Sequence, residues 1–94
     1  MTLANIKNYI FDIFDKSGIY IDSSEMEQDL DLREYLVDSI QYVYFIVELE
    51  ERLGIELPDE VLIYDNLASI NGFANMVLGF CEKSELNSTN VKSE

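Results

Sequence analysis

Three observations predict an all-α fold, a bundle of three main helices plus one short helix, with a long loop between the first two. Apolar side chains recur at helical spacing in three separate segments, no segment alternates in the manner of a half-buried strand, and 94 residues leave room for one domain around one modest core. One fold and one site are the expectation.

The first segment, TLANIKNYIFDIFDK over residues 2–16, puts Leu3, Ile6, Ile10, Ile13 and Phe14 on one face, with Thr2 as N-cap and Gly18 as the stop. From Gly18 to Val37 the periodicity disappears and Asp, Glu and Ser dominate, yet Ile19, Tyr20, Ile21, Leu30, Leu32 and Leu36 are scattered through it. A connection of that length in a small domain is functional or packed by its own side chains. Residues 39–53, SIQYVYFIVELEERL, form the longest periodic segment, closed by Gly54. IELPDEVLIYD then holds the only proline, Pro58, in a turn, with a short helix expected near Glu60 to Tyr64. The last segment, SINGFANMVLGFCEK, repeats Ile70, Phe73, Val77 and Phe80 behind a Ser69 cap, although Gly72 and Gly79 lower its propensity. The folded domain is expected over residues 1–83. The remainder, 84–94, reads SELNSTNVKSE, has nothing to bury and is expected to be a flexible tail.

Composition narrows the function. Nineteen carboxylates against six basic residues give a formal charge of −13. Phosphate contacts need Lys and Arg, so a nucleic-acid role is excluded, and the natural complement is a basic protein surface. Self-repulsion of so acidic a chain favours a monomer. The single cysteine, Cys81, has no internal disulfide partner, residues 1–20 lack a signal-peptide pattern, and no stretch reaches transmembrane length. The expected setting is cytoplasmic, without membrane insertion.

The second long helix carries more apolar surface than a core needs. At about 100° per residue, Tyr42, Phe45, Ile46, Leu49 and Leu53 share one arc, enough to pack on the flanking helices. Opposite lie Ile40, Val43, Tyr44 and Val47 with Glu51; Glu50 marks one boundary, and Gln41, Glu48 and Arg52 the other. Periodicity favours the reading in which the long loop folds over this second arc, because satellite clusters under loops are common. The other reading is a docking face, apolar with an acidic rim.

Beside that arc stands the pair Asp38-Ser39, and either residue is a candidate cap, with Gln41 spaced for a capping-box variant. A second Asp-Ser pair, Asp22-Ser23, is not directly followed by an apolar helix. Self-contained serine catalysis needs a base and an oxyanion hole, but the chain has no histidine and no G-x-S-x-G turn, so it is not expected to be an enzyme. No metal site is expected either: setting Gly18 as the sixth position of a calcium loop puts Ile13 first and Ser24 twelfth, where oxygen ligands including a Glu are required. If Ser39 has a chemical role, other proteins must act on it.

The run YLVDSIQYVYFIVELEERLGIELPDE resembles the phosphopantetheine-attachment region of acyl carrier proteins and their D-alanyl, aminoacyl and peptidyl carrier relatives. Asp38, Ser39 and Ile40 match the Asp-Ser pair that opens the family's second helix, VELEERLG matches its acidic and apolar body, and IELPDE matches the turn into a short third helix. The resemblance covers about residues 3–82 in organisation and 36–60 in motif, and implies an acyl-carrier-like bundle. It implies that Ser39 bears a 4′-phosphopantetheine arm, added from coenzyme A by a phosphopantetheinyl transferase, while Asp38 helps position the metal-bound coenzyme. The arm would hold cargo as a thioester, making the chain a stand-alone carrier served by an acyl- or aminoacyl-loading enzyme and a downstream acyltransferase or synthase. Ile40, Val43, Tyr44, Val47 and Glu51 become the partner-docking face, which reverses the preference drawn from periodicity. YLVDS is closest to the aliphatic LLDS type of D-alanyl and some aminoacyl carriers, and Tyr44 stands where fatty-acid carriers are commonly acidic; both imply a specialised biosynthetic or surface-modification pathway. The alternative from a different class is an unmodified acidic helical adaptor that binds a basic surface through the same helix.

Overall fold

The computed structural model describes residues 1–93, with side chains described through Lys83. Thr2 opens α1 (Leu3–Lys16) through a capping box in which its hydroxyl accepts from the Asn5 amide while Asn5 accepts from the Thr2 amide. The helix ends at Ser17 and Gly18, whose φ of 82° is the left-handed conformation that stops a helix without the steric cost of a Cβ. α2 (Ser23–Met26) is one turn inside the long loop, and a 3-10 turn over Leu32–Glu34 follows. Both lie where no helix was expected. Asp22 and Asp31 begin them, and Asp31 accepts from the Arg33 amide, a local bond that needs no apolar period. α3 (Ser39–Leu53) is closed by Gly54 at φ 71°, and α4 is Ile70–Ser93. The expected tail, 84–94, coincides with residues whose side chains lie outside the description, and Glu94 lies outside it altogether.

The short helix forms later than expected. Instead of Glu60 to Tyr64, the chain makes a turn in which the amides of Val61 and Leu62 donate to the carbonyls of Pro58 and Asp59, extends at Ile63, and then makes a 3-10 helix over Tyr64–Ala68. Side chains hold this stretch: the Tyr42 hydroxyl donates to the Leu62 carbonyl, and Asn66 Nδ2 donates to those of Glu60 and Val61.

α1 packs on both α3 and α4, and the core between them is one cluster. α1 contributes Ile6, Ile10, Ile13 and Phe14, α3 contributes Phe45, Ile46 and Leu49, and α4 contributes Ile70, Phe73, Ala74, Val77 and Cys81. Phe80, expected in the α4 stripe, is only partly buried, with Cys81 inside instead. Three rings run through the centre, Phe14 to Phe45 at 5.4 Å and Phe45 to Phe73 at 6.1 Å, tilted to one another and within the separation at which aromatic pairs interact.

The loop over 18–37 is part of this core. Ile21, Leu30, Leu32 and Leu36 are buried, and polar ties fix the path between them. Asp29 accepts from the Ser69 hydroxyl and the Asn71 amide, Leu30 accepts from the Ile70 amide, and the Ser69 hydroxyl oxygen accepts from Gly72. The loop thus reaches across to cap α4, the role expected of Ser69 alone. These bonds hold the Asp29 carboxyl below the ordinary carboxylate range, the Asn71 amide being the main cause. Tyr35 is tied to Glu25 at 2.7 Å, which pushes its pKa up to about 12. The loop commits Ile21, Leu30, Leu32 and Leu36 to the core, and the outer arc of α3 stays uncovered.

Candidate functional site

α3 begins at the end of this loop, and its first turn settles which residue is the cap. Asp38 has extended backbone (φ −112°, ψ 136°) and its Oδ1 accepts from the Ile40 amide at 2.7 Å, while its carbonyl accepts from Tyr42 at 3.0 Å. Ser39 is the first helical residue. Its side chain is exposed, and among the described residues its hydroxyl has no hydrogen-bond partner. Gln41 does not complete a capping box: its Oε1 is turned inward and is buried with no partner. Ser39 therefore presents a primary hydroxyl with no structural duty, at the positive end of a 15-residue helix whose Ser39 and Gln41 amides are not used by the first turn.

The outer arc of α3 leads away from that hydroxyl. Ile40 is 77% exposed, Val43 57%, Tyr44 43% and Val47 46%, with Glu51 exposed beyond them. Leu49, in the opposite arc, is fully buried with Phe45 and Ile46, while Tyr42 and Leu53 are half-buried at its edges. The Glu48 carboxylate, four residues along α3 from Tyr44, raises the phenol pKa. At the far end Glu50 accepts from the Leu57 amide and Arg52 pairs with Asp12 of α1, so these two boundary residues have structural partners.

Shallow apolar clefts flank Ser39. One is lined by Ser39, Ile40, Val43 and Tyr44, and the other by Leu36, Val37, Asp38, Ser39, Tyr42 and Tyr64. Val37 and Tyr64 had not been singled out from the sequence. Tyr64 arrives from the 3-10 turn, its hydroxyl donating toward the carbonyls of Arg33 and Leu36 and its ring edge-on to Tyr42 at 6.1 Å. No local pattern signals such a contact, because its partners lie about thirty residues back in the chain. Val37 does adjoin the Asp-Ser pair, and its exposure at 77% shows that it belongs to the surface around Ser39.

An exposed hydroxyl at a helix N-terminus, with apolar surface on both sides, is suited to receive a group that a second protein transfers to it, and a phosphate there is favoured by the helix dipole. Among the described residues no cluster of three or more His, Cys, Asp or Glu is arranged to hold a metal, and no helix is long and apolar enough to cross a membrane. No solved structure matches the chain. The model of one family does, described as the phosphopantetheine attachment site, over residues 16–77, more than half of the chain and a span that includes all of α3 and the clefts around Ser39. The chain accordingly belongs to the phosphopantetheine-binding carrier proteins, the acyl carrier family defined by a covalently attached 4′-phosphopantetheine, whose domains carry intermediates rather than catalyse.

Proposed function

We propose that Ser39 is the residue that bears the 4′-phosphopantetheine arm, and that this chain is a stand-alone carrier holding an acyl or aminoacyl intermediate for partner enzymes. The observation that carries the reading is the division of labour in the first turn of α3: Asp38 makes the cap bond, and the Ser39 hydroxyl is exposed and unpaired among the described residues. The surroundings fit the group. The N-terminal amides of α3 favour the phosphodiester, and the flanking clefts offer apolar surface to a flexible chain. When bound, the arm supplies a thiol that holds cargo as a thioester. The protein contributes position alone. Activation of the hydroxyl falls to a phosphopantetheinyl transferase, which takes the arm from coenzyme A, and Asp38, the neighbour of Ser39 in the chain, helps to position the metal-bound coenzyme.

The docking face is Ile40, Val43, Tyr44 and Val47 with Glu51 at the rim, one contiguous strip that starts beside the arm. Its partners are the transferase, an acyl- or aminoacyl-loading enzyme, and a downstream acyltransferase or synthase, each presenting an apolar patch with basic residues around it. The aliphatic YLVDS stretch and Tyr44 favour a specialised biosynthetic or surface-modification pathway in the cytoplasm.

Intact mass after incubation with coenzyme A and a promiscuous transferase tests the assignment. One added arm is expected on the native chain and none on Ser39→Ala. An unmodified native chain would leave the acidic adaptor as the function of the same face.

A further inference from the structure

The chain enters α3 under a tie from residues about thirty positions later. The Tyr64 hydroxyl, at the start of the 3-10 helix over Tyr64–Ala68, shares its proton between the carbonyls of Arg33 and Leu36, each at 3.3 Å. Arg33 is itself held by side-chain bonds to Asp31 and reaches Asp65, the residue after Tyr64, at 3.3 Å. From the other side the Tyr42 hydroxyl, one turn into α3, donates to the Leu62 carbonyl, and the rings of Tyr42 and Tyr64 meet edge-on at 6.1 Å. Residues 62–65 thus form a strut, fastened to α3 through Tyr42 and to the segment that leads into α3 through Tyr64.

The strut ends where the path into the helix is decided. Leu36 is buried and its amide donates to the Leu32 carbonyl at 3.0 Å, whereas Val37, the next residue, is 77% exposed. Fixing the Leu36 carbonyl therefore sets the direction in which Val37 and Asp38 approach α3. That direction matters because Asp38 and Ser39 compete for one role, Asp and Ser being about equally good N-caps. With the entry as observed, Asp38 is extended and accepts from the Ile40 amide, and the Ser39 hydroxyl stays out. A start shifted by one residue would make Ser39 the cap and turn its oxygen onto the amide of Gln41 or Tyr42, where it accepts from its own helix instead of facing a partner.

We infer that Tyr64 is a positioning residue for the modification of Ser39, holding the entry to α3 in the register that leaves the serine hydroxyl free. The inference rests on the assignment of Ser39 as the attachment residue. In that reaction Ser39 Oγ forms a bond to the pantetheine-bearing phosphorus of coenzyme A, the pyrophosphate bridge breaks, adenosine bisphosphate leaves, and the hydroxyl proton passes to a base of the transferase. Tyr64 takes no part in these bond changes, since its hydroxyl is bonded to the loop; it acts by keeping the nucleophile oriented.

Tyr64→Phe removes the hydroxyl and keeps the ring, and because the side chain is exposed and both bonds are long it is a mild change to the fold. The full chain is given to the transferase with coenzyme A, and intact mass reports the rate. In Tyr64→Phe kcat should fall roughly two- to tenfold, the change expected for one lost hydrogen bond, while KM for the chain stays the same because the outer arc of α3 is untouched. NMR spectra of the unmodified variant should show the Ile40 and Gln41 amides shifted, the signature of a cap passing from Asp38 to Ser39. Should Tyr64→Phe fold poorly, Tyr42→Phe, which frees the other end of the strut, decides by the same split. Asp29→Asn is the control for general loosening: it weakens the hold on the same loop at the start of α4 and should leave kcat as in the native chain. Native kcat in folded Tyr64→Phe, a rise in KM with kcat unchanged, unshifted Ile40 and Gln41 amides, or an equal fall of kcat in Asp29→Asn would overturn the positioning role and leave Ser39 as the attachment residue. No mass gain on the native chain would overturn both.

Discussion

Asp38→Ala and Ser39→Ala, compared side by side, separate the cap from the carrier. Asp38 Oδ1 accepts from the Ile40 amide at 2.7 Å, so Asp38→Ala removes a cap bond worth about 1 kcal/mol. In a domain of this size each kcal/mol shifts the melting midpoint by about 4–8 °C, a loss easily read by thermal unfolding. Ser39→Ala removes a hydroxyl that bonds to nothing among the described residues, from an exposed position whose amide is free in any case. Its effect should lie within about 0.5 kcal/mol, and the midpoint should barely move. The modification assay should give the opposite ranking: Ser39→Ala abolishes the mass gain, whereas Asp38→Ala slows it without moving it elsewhere. If Ser39→Ala lowers the midpoint as much as Asp38→Ala does, the hydroxyl has a structural partner and the division of labour is misread. If a mass gain persists in Ser39→Ala, the attachment residue is misassigned whatever the stabilities show.

Three further outcomes follow from the packing and the charges. Leu49 is fully buried and Tyr44 is 43% exposed, so Leu49→Ala should cost about 2–5 kcal/mol, and Tyr44→Ala should cost far less in stability yet reduce affinity for the loading enzyme roughly five- to thirtyfold; equal destabilisation with loading untouched would place Tyr44 in the core and end the docking-face argument. Asp29 has a folded pKa below its unfolded value, so its contribution is present above the ordinary carboxylate pKa of about 3.9 and is lost as pH falls through the lower folded value. Asp29→Asn should therefore be less stable than the native chain at neutral pH, with the gap closing in acid; a gap that persists once the carboxyl is protonated would show that its charge contributes nothing. A net charge of −13 should make the unfolding midpoint rise with added salt or divalent cations, and a midpoint insensitive to both would mean that the carboxylates are already well separated.

What the amino-acid sequence determined by itself was whatever depends on neighbours within about one turn of helix. Thr2, Asp38 and Gly54 are local signals, since a side-chain oxygen that reaches the first-turn amides and a residue without a Cβ act through bonds that nearby residues make. The buried faces of α1 and α3 were likewise legible, because a 3.6-residue period aligns Ile6, Ile10 and Ile13, or Phe45 and Leu49, before any partner exists. The Asp38-Ser39-Ile40 motif was legible for the same reason. Tertiary structure decided the rest. Asp38 and Ser39 were both competent caps, and the choice rested on the angle at which the loop delivers the chain into α3. The outer arc stayed exposed because Leu30, Leu32 and Leu36 were claimed by the core and Asp29 by the start of α4, contacts that join residues about forty positions apart. The short helix lies at Tyr64–Ala68, after a stretch whose Leu62 carbonyl is held by the hydroxyl of Tyr42 from a different helix, a contact twenty residues apart that no local pattern records. Gln41 had the spacing of a capping residue, and only the tertiary packing turned its oxygen inward instead, since no local pattern records which side chains from distant segments will compete for the same partner.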